Sequence, residues 1–442
     1  MKRVAILGAG LTGLSAGYFL KKHGLECKLF EAAPHYGGPL QTGTEENFQY
    51  EYGPNTLLSQ DSHLENLFAE LGLSDQVVEA NPKAKKRFVV QYAQPVPLPM
   101  SLRSFLTSPI LSTRAKLSLL TEPFRPRSHL PDESLAAFAQ RRLGLEVLNY
   151  LLNPFVAGVY AGSPENLSTK YAFPLIWELE QTHGSLLVGL LKKRISQKSP
   201  KSRRRLISFQ HGIQTLCHAL AKNLKEEIHL NTPVETIQQE GAPWCINGES
   251  FAAVISTLPT YAFNKIPSKP DTLHLENLPH PPVSVWHLGF KRDQITHPLD
   301  GFGMLVPAVE NLNILGCLFP STLFPNRAPK DAVLLTIFVG GSRQPHLAFL
   351  NEAESLTLVL NDLNLLLGIK GLPYWKKRIQ WPHAIPQYEL GYEKFLNSLD
   401  SLESSHAGFF FAGNFRGGIA APQCINTGKE IARNLSLKFG IS

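Results

Sequence analysis

Apolar positions open the chain in an unbroken run. Val4–Leu7 reads as a short buried strand that stops at Gly8. From Leu11 to about His23 the apolar residues, Leu14 and Tyr18 among them, recur at helical spacing, and Cys27–Phe30 forms a second strand ending at Glu31. Strand, helix and strand make a βαβ unit. Ser62–Gly72 carries a helical stripe of Leu64, Leu67, Phe68 and Leu71, with Gly72 as its stop. From Pro97 to about Leu191 the pattern is mainly helical, punctuated by prolines. A second alternating region follows: Arg205–Phe209, a helix near Gly212–Leu224, strands near Ile228–Leu230 and Val234–Gln238, and a buried strand at Val254–Thr257. Val283–Phe290 and Val333–Val339 read as strands and Leu356–Leu367 as a helix. Phe409–Ala412 is a last buried strand running into Gly413, and Ile425–Leu435 is a closing helix.

Composition narrows the class. The chain has 442 residues, enough for a large core and more than one domain. No apolar run reaches the roughly 18–20 residues a bilayer span needs, and Leu186–Leu191 is far too short. Met1-Lys2-Arg3 ahead of Val4–Leu7 lacks the longer apolar region of a signal peptide, so a mature cytoplasmic start is expected. Five widely spaced cysteines, Cys27, Cys217, Cys245, Cys317 and Cys424, contain no C-x-x-C pair, which argues against a disulfide framework or a zinc site. The net charge of +7 is local, because the stretch Lys192–Arg205 holds eight Lys or Arg and no acid. The rest of the chain is near neutral, so a nucleic-acid partner is not expected. The basic stretch reads as a solvated loop or as a contact for an anionic membrane surface.

Chemistry concentrates at the first turn. Gly8-Ala9-Gly10-Leu11-Thr12-Gly13 is G-x-G-x-x-G between a strand and a helix, the context that the dinucleotide fingerprint requires. Gly8 permits the tight turn, Gly10 lets a pyrophosphate approach the backbone, and Gly13 packs helix on strand. The helix N-terminus offers free N–H groups to the phosphates. Glu31, at the end of the second strand, is placed to accept ribose hydroxyls. These residues alone leave NAD and FAD open.

Pro34-His35-Tyr36-Gly37-Gly38 follows the acid directly. A glycine pair there resembles the FAD extension of amine-oxidase-like flavoproteins, and Glu51-Tyr52-Gly53-Pro54-Asn55-Thr56 resembles their flavin-side segment. The run Asn153-Pro154-Phe155-Val156-Ala157-Gly158-Val159-Tyr160-Ala161-Gly162, continuing to Ser168, is more specific. With Gly212–Leu216, Pro386–Gly391 and Gly413–Ile425, it makes nearly the whole chain resemble the oxygen-dependent porphyrinogen oxidases of haem biosynthesis.

That resemblance implies an α/β fold: a discontinuous FAD-binding Rossmann-like domain, a mixed-sheet substrate domain and a helical domain. The expected boundaries are 1–80, 196–265 and 396–442 for the FAD-binding parts, 81–97 and 266–395 for the substrate domain, and 98–195 for the helices. It implies FAD contacts at Gly8, Ala9, Gly10, Leu11, Thr12, Gly13, Glu31, Ala32, Gly38, Gly53, Pro54, Asn55 and Thr56. Val234 would lie against the adenine, and Ile419, Ala420 and Ala421 along the isoalloxazine. Gly413, Gly417 and Gly418 would bring backbone N–H groups to the electron-rich pyrimidine end, with the closing helix pointing its positive end there.

The implied reaction is the six-electron oxidation of a porphyrinogen by O2, releasing H2O2, with the cofactor carrying the chemistry. No catalytic triad or metal is expected, and the fifteen histidines form no H-x-x-x-H or H-E-x-x-H. Gly158 is matched to a glycine beside the macrocycle, where it would give clearance. A packing glycine is the equal alternative. Arg416, Lys170 and Arg87 are candidates for a substrate propionate. Three positions depart from the family pattern: Pro39 after the glycine pair, Asn55, and Tyr392 where a histidine is common. Phe105, Leu106 and Ile110 are read as buried between helices or as touching a membrane peripherally. Other readings are a different flavin amine oxidase or desaturase, a non-catalytic FAD-binding protein, or a nicotinamide dehydrogenase. The choice between protoporphyrinogen IX and coproporphyrinogen III stays open, as does the oligomeric state.

Overall fold

The computed structural model describes residues 3–59, 62–196, 204–239 and 243–440. The N-terminal unit forms as β1 (Arg3–Leu7), α1 (Leu11–Lys22) and β2 (Glu26–Phe30). Val4, Ala5, Ile6 and Leu7 have no exposed surface, because a parallel strand is covered on both faces and so needs an unbroken apolar run. Five parallel strands make the sheet, in the order Ile228–His229, β2, β1, Ala253–Ser256, Phe409–Phe411. The order reverses between β1 and Ala253–Ser256. The carboxyl ends at such a switch are where open α/β sheets take their ligands.

The closing helix, Ala421–Lys438, lies across α1. The crossing is tight at Gly428, where a Cβ would stand 2.7 Å from the Thr12 carbonyl oxygen and 2.8 Å from the Ala16 nitrogen. The helix begins four residues before the expected Ile425, since Pro422 in its first turn is already set for helical φ.

The strand expected at Val234–Gln238 is instead Ile237–Gln239. The Glu235 and Thr236 N–H groups donate to Asn247 Oδ1 at 2.9 and 3.0 Å rather than to a neighbouring strand, which leaves Val234 ahead of the ladder.

A second, seven-stranded sheet runs Trp375–Trp381, Val283–Lys291, Ala332–Gly340, Ile314–Leu318, Gly301–Leu305, Lys86–Gln91, Gln94–Pro97. Its neighbours are antiparallel except Gly301–Leu305 with Lys86–Gln91. The helix Glu352–Leu367 packs the core formed on one face, with Val359, Leu363 and Leu366 among Trp286, Leu335 and Ile337.

Residues 102–196 are a layer of short helices. Ser101, Ser112, Ser134 and Ser168 each cap one by accepting an N–H three residues on. Inside the layer, Arg142 has no exposed side-chain surface and pairs with Glu180 at 2.7 Å and Glu122 at 3.4 Å. No helix among the described residues is long and apolar enough to cross a membrane. Ile110 is 1% exposed, packed with Leu111 and Val147, while Leu106 is 62% exposed and Phe105 half-buried. Of the three apolar residues singled out, only Leu106 therefore presents itself to the outside.

Half of the basic stretch, 197–203, lies outside the described residues, and its first part, 192–196, continues the helix Leu186–Ser196 rather than forming a loop. Its end is not loop: Arg205 starts the strand Arg205–Phe209 and forms ion pairs with Glu65 and Glu79.

Candidate functional site

The glycine turn sits at the carboxyl end of β1. Gly8 (φ +98°) donates to the Phe30 carbonyl at 2.8 Å, and Thr257 Oγ1 donates to the carbonyls of Leu7 and Gly8 from behind, at 2.9 and 3.1 Å. A Cβ on Gly13 would stand 2.1 Å from the Gly8 carbonyl oxygen, so only hydrogen lets α1 start this close to the strand. Gly10 differs: a Cβ there meets nothing within 4 Å. Leu11 and Thr12 follow in the first turn of α1, which holds no acidic residue. The turn is thus packed hard underneath and open above Gly10, where the first N–H groups of α1 have no helical acceptor. That is the shape and the donor set a diphosphate requires.

Glu31 joins the turn to the next loop. Its Oε2 accepts the Ala9 N–H at 2.8 Å and its Oε1 the Ala33 N–H at 2.9 Å. The carboxylate is half-exposed and keeps further lone pairs for ribose hydroxyls. Ala32 beside it is exposed. The glycine pair closes over the same turn: Gly37 donates to the Ala9 carbonyl at 2.8 Å, and Gly38 (φ +58°) faces Gly10. Pro39 in turn meets Gly53, where a Cβ would stand 2.6 Å from the Pro39 carbonyl oxygen. Gly53, Pro54, Asn55 and Thr56 continue from there, half-buried. Val234 is half-buried against the core that contains Leu7 and Phe30.

The C-terminal loop forms the other wall. After Phe409–Phe411 the chain turns through Gly413 (φ +150°), Gly417 (φ +87°) and Gly418 (φ +120°), backbone open to glycine and costly for other residues. Ile419 and Ala421 are half-buried and Ala420 is exposed. The Gly418 N–H, expected to face a flavin, is engaged elsewhere, since it donates to the Tyr388 hydroxyl at 3.1 Å. Arg416 is likewise committed, with its guanidinium on Glu403, Asp400 and the Phe411 carbonyl.

The specific motif forms the helix Asn153–Tyr160, entered through a π turn over Leu148–Leu152. Pro154, Val156, Ala157 and Tyr160 are buried, while Phe155, Gly158 and Val159 face out. A Cβ on Gly158 would meet only the Leu305 side chain, at 2.5 Å. Asn153 Oδ1 accepts the Ala308 N–H at 2.9 Å and the Arg343 guanidinium at 3.2 Å. Of the remaining propionate candidates, Lys170 pairs with Glu393 at 3.0 Å. Arg87 lies over the Phe302 ring at 5.6 Å and has no carboxylate partner among the described residues.

Tertiary structure brings three distant motifs together. Ser168 donates to the Tyr388 carbonyl, Gln387 Nε2 donates to the Tyr160 carbonyl, and Tyr388 touches the loop at Gly418. Sequence reasoning missed the backing role of Thr257, the helix crossing at Gly428 and the bracing by Tyr388 and Tyr392. Gly428 left a signal as a glycine inside a helical pattern, and Tyr388 and Tyr392 stood in or beside a family motif without showing what they brace.

A model of flavin containing amine oxidoreductases matches residues 11–436. The mitochondrial protoporphyrinogen oxidase of Nicotiana tabacum is 36% identical over 98% of this chain and 94% of its own. The coproporphyrinogen III oxidase of Bacillus subtilis is 28% identical over 97% of this chain and 96% of its own. A crystal structure from Exiguobacterium sp. 255-15 superposes with a TM-score of 0.83 at 24% identity, covering 99% of both chains, and so shares the fold.

Proposed function

The chain belongs to the flavin containing amine oxidoreductase family, and we propose that it oxidises a porphyrinogen to a porphyrin with FAD as its flavin and O2 as the terminal acceptor. The observation that carries this reading is the full-length similarity to two porphyrinogen oxidases, joined to the convergence of Asn153–Ser168, Pro386–Tyr392 and Gly413–Ala421 on one wall. The open space above Gly10 and the free N–H groups at the start of α1 support a dinucleotide there. Gly8–Gly13 would hold its diphosphate, Glu31 and Ala32 its adenosine ribose, Gly38 and Gly53–Thr56 its middle, Val234 its adenine, and Gly413 with Ile419–Ala421 its ring. The FAD-binding parts then correspond to 1–80, 196–265 and 396–442.

Bound flavin supplies a two-electron acceptor that O2 can re-oxidise. Six electrons leave a porphyrinogen, so three O2 become three H2O2. The protein's part is to bind, orient and exclude water. Gly158 gives clearance for a bulky macrocycle, with Phe155 and Val159 as apolar neighbours on the same face. Arg87, which has no carboxylate partner among the described residues, is the propionate anchor of this reading, because an anion set against an apolar wall needs a cation. Exposed Leu106, Leu120, Phe124, Leu190 and Ile195, beside the exposed Lys192–Arg194, suit peripheral contact with an anionic bilayer from the cytoplasmic side.

The test uses purified protein reconstituted with FAD. Protoporphyrinogen IX, coproporphyrinogen III and a primary amine are added separately without oxygen, and then air is admitted. Bleaching of the yellow colour, followed by porphyrin fluorescence and peroxide, is expected with a porphyrinogen only, and the faster of the two names the substrate. Bleaching by the amine alone, or a protein that stays colourless, overturns the reading.

A further inference from the structure

The geometry points to Tyr388 and Tyr392 as positioning residues that shape the glycine-rich loop 413–418 into its flavin-facing form and so set how tightly, and in which redox state, the flavin is held. This rests on the flavin assignment above. The Tyr388 hydroxyl does two things at once. It donates to the Asn414 carbonyl at 2.6 Å and accepts the Gly418 N–H at 3.1 Å. One oxygen thereby ties both ends of a turn that contains Gly417 and Gly418, each at positive φ. The Tyr392 hydroxyl donates to the Phe415 carbonyl between them.

The two rings are stacked, 4.4 Å between centroids and 23° apart. They are 3% and 5% exposed. Burial pushes both phenols well above their usual range, so each keeps its proton and remains a donor at any working pH. Tyr388 also meets the Tyr160 ring edge-on at 6.3 Å. Tyr160 ends the helix that carries Gly158, so one aromatic stack spans from the substrate-side helix to the flavin-side loop.

A loop of glycines has many conformations to lose. Two hydroxyls and a stacked pair remove them before any ligand arrives, and groups held in advance cost nothing to reorganise when charge develops. The Gly418 N–H is turned into the protein by this arrangement, so its neighbours, not Gly418 itself, are the donors left to face the ring.

The test is Tyr388→Phe, which keeps the stack and deletes the hydroxyl. Flavin dissociation constants are read by fluorescence titration in the oxidised and reduced states, with Tyr374→Phe, an exposed tyrosine just before the strand Trp375–Trp381, as control. The variant is expected to bind oxidised flavin about tenfold more weakly, the equivalent of about one net hydrogen bond. Reduced flavin is expected to lose about tenfold more, which lowers the two-electron midpoint potential by about 30 mV. Should Tyr388→Phe not fold, Tyr392→Phe carries the same test through the Phe415 carbonyl. Affinities within twofold of wild type and an unchanged potential overturn the inference while leaving the flavin assignment intact. A wild-type protein that binds no flavin overturns both.

Discussion

The Glu51 carboxylate stands 3.6 Å from the Arg327 guanidinium, with 4% and 3% of the two side chains exposed. The carboxylate also accepts the Thr42 hydroxyl at 2.6 Å and the Ile213 N–H at 3.0 Å, and the guanidinium donates to Ser208 Oγ at 2.8 Å. The pair therefore fastens the segment leading to Gly53–Thr56 to the Gly212–Leu216 turn and to the chain beside the mixed sheet. Burial outweighs attraction at this distance: it raises the Glu51 carboxyl from 4.5 to about 7 and lowers Arg327.

Arg327→Met is expected to cost about 3–5 kcal/mol of stability, because it strands a buried carboxylate. Urea unfolding near pH 8 measures it. A loss under about 1 kcal/mol would mean that the pair is solvated.

The same shift predicts a pH dependence. A carboxyl with a raised folded pKa contributes stability that is fully present below about 4.5 and is lost as the pH rises through about 7. Glu51→Gln should flatten the wild-type decline in stability across that window. Parallel curves for the two proteins would show that Glu51 does not titrate there.

Gly13→Val should abolish flavin binding while leaving most secondary structure, since its Cβ has only 2.1 Å to the Gly8 carbonyl oxygen. Absorbance near the flavin maximum after gel filtration reads the outcome. Normal yellow colour would displace the cofactor from this turn.

Gly158→Arg should reduce porphyrin formation by at least about a hundredfold, the scale of a misplaced reacting centre, with flavin still bound. The position faces outward and meets only the movable Leu305 side chain, so the fold should tolerate the change. Loss of flavin together with turnover would make Gly158 a packing residue.

Arg87→Ala should raise the KM for a porphyrinogen about tenfold to a hundredfold, the range for a lost charge-assisted hydrogen bond, with flavin affinity unchanged. Arg416→Ala should act differently, loosening the loop it ties to Glu403 and Asp400 and weakening flavin binding. Equal effects of both substitutions on KM would leave the anchor unassigned to Arg87.

Much of this was legible locally. A fully buried parallel strand must be apolar throughout, so Val4–Leu7 announced itself, and the edge strand Phe409–Phe411, with only Phe410 half-buried, did so by the same run of apolar residues. The glycine turn was readable because its steric demands act over a few bonds: Gly13 must clear Gly8, five residues away. Val234 was read into a strand because its pattern alternates, and the competing acceptor, Asn247 Oδ1, leaves no trace in that pattern.

The chain alone thus determined its class, its glycine turn and its family resemblance, because these depend on periodicity and on close sequence neighbours. Folding decided which side chains were still available. Arg416, Lys170 and Arg87 are equivalent cations on paper, and only their surroundings, carboxylates for two and an aromatic face for the third, tell them apart. The same holds for Tyr388 with Gly418 and Glu51 with Arg327. Such pairings join residues 30 and 276 positions apart, and a hydrogen bond or a desolvated charge pair imposes no spacing rule along the chain.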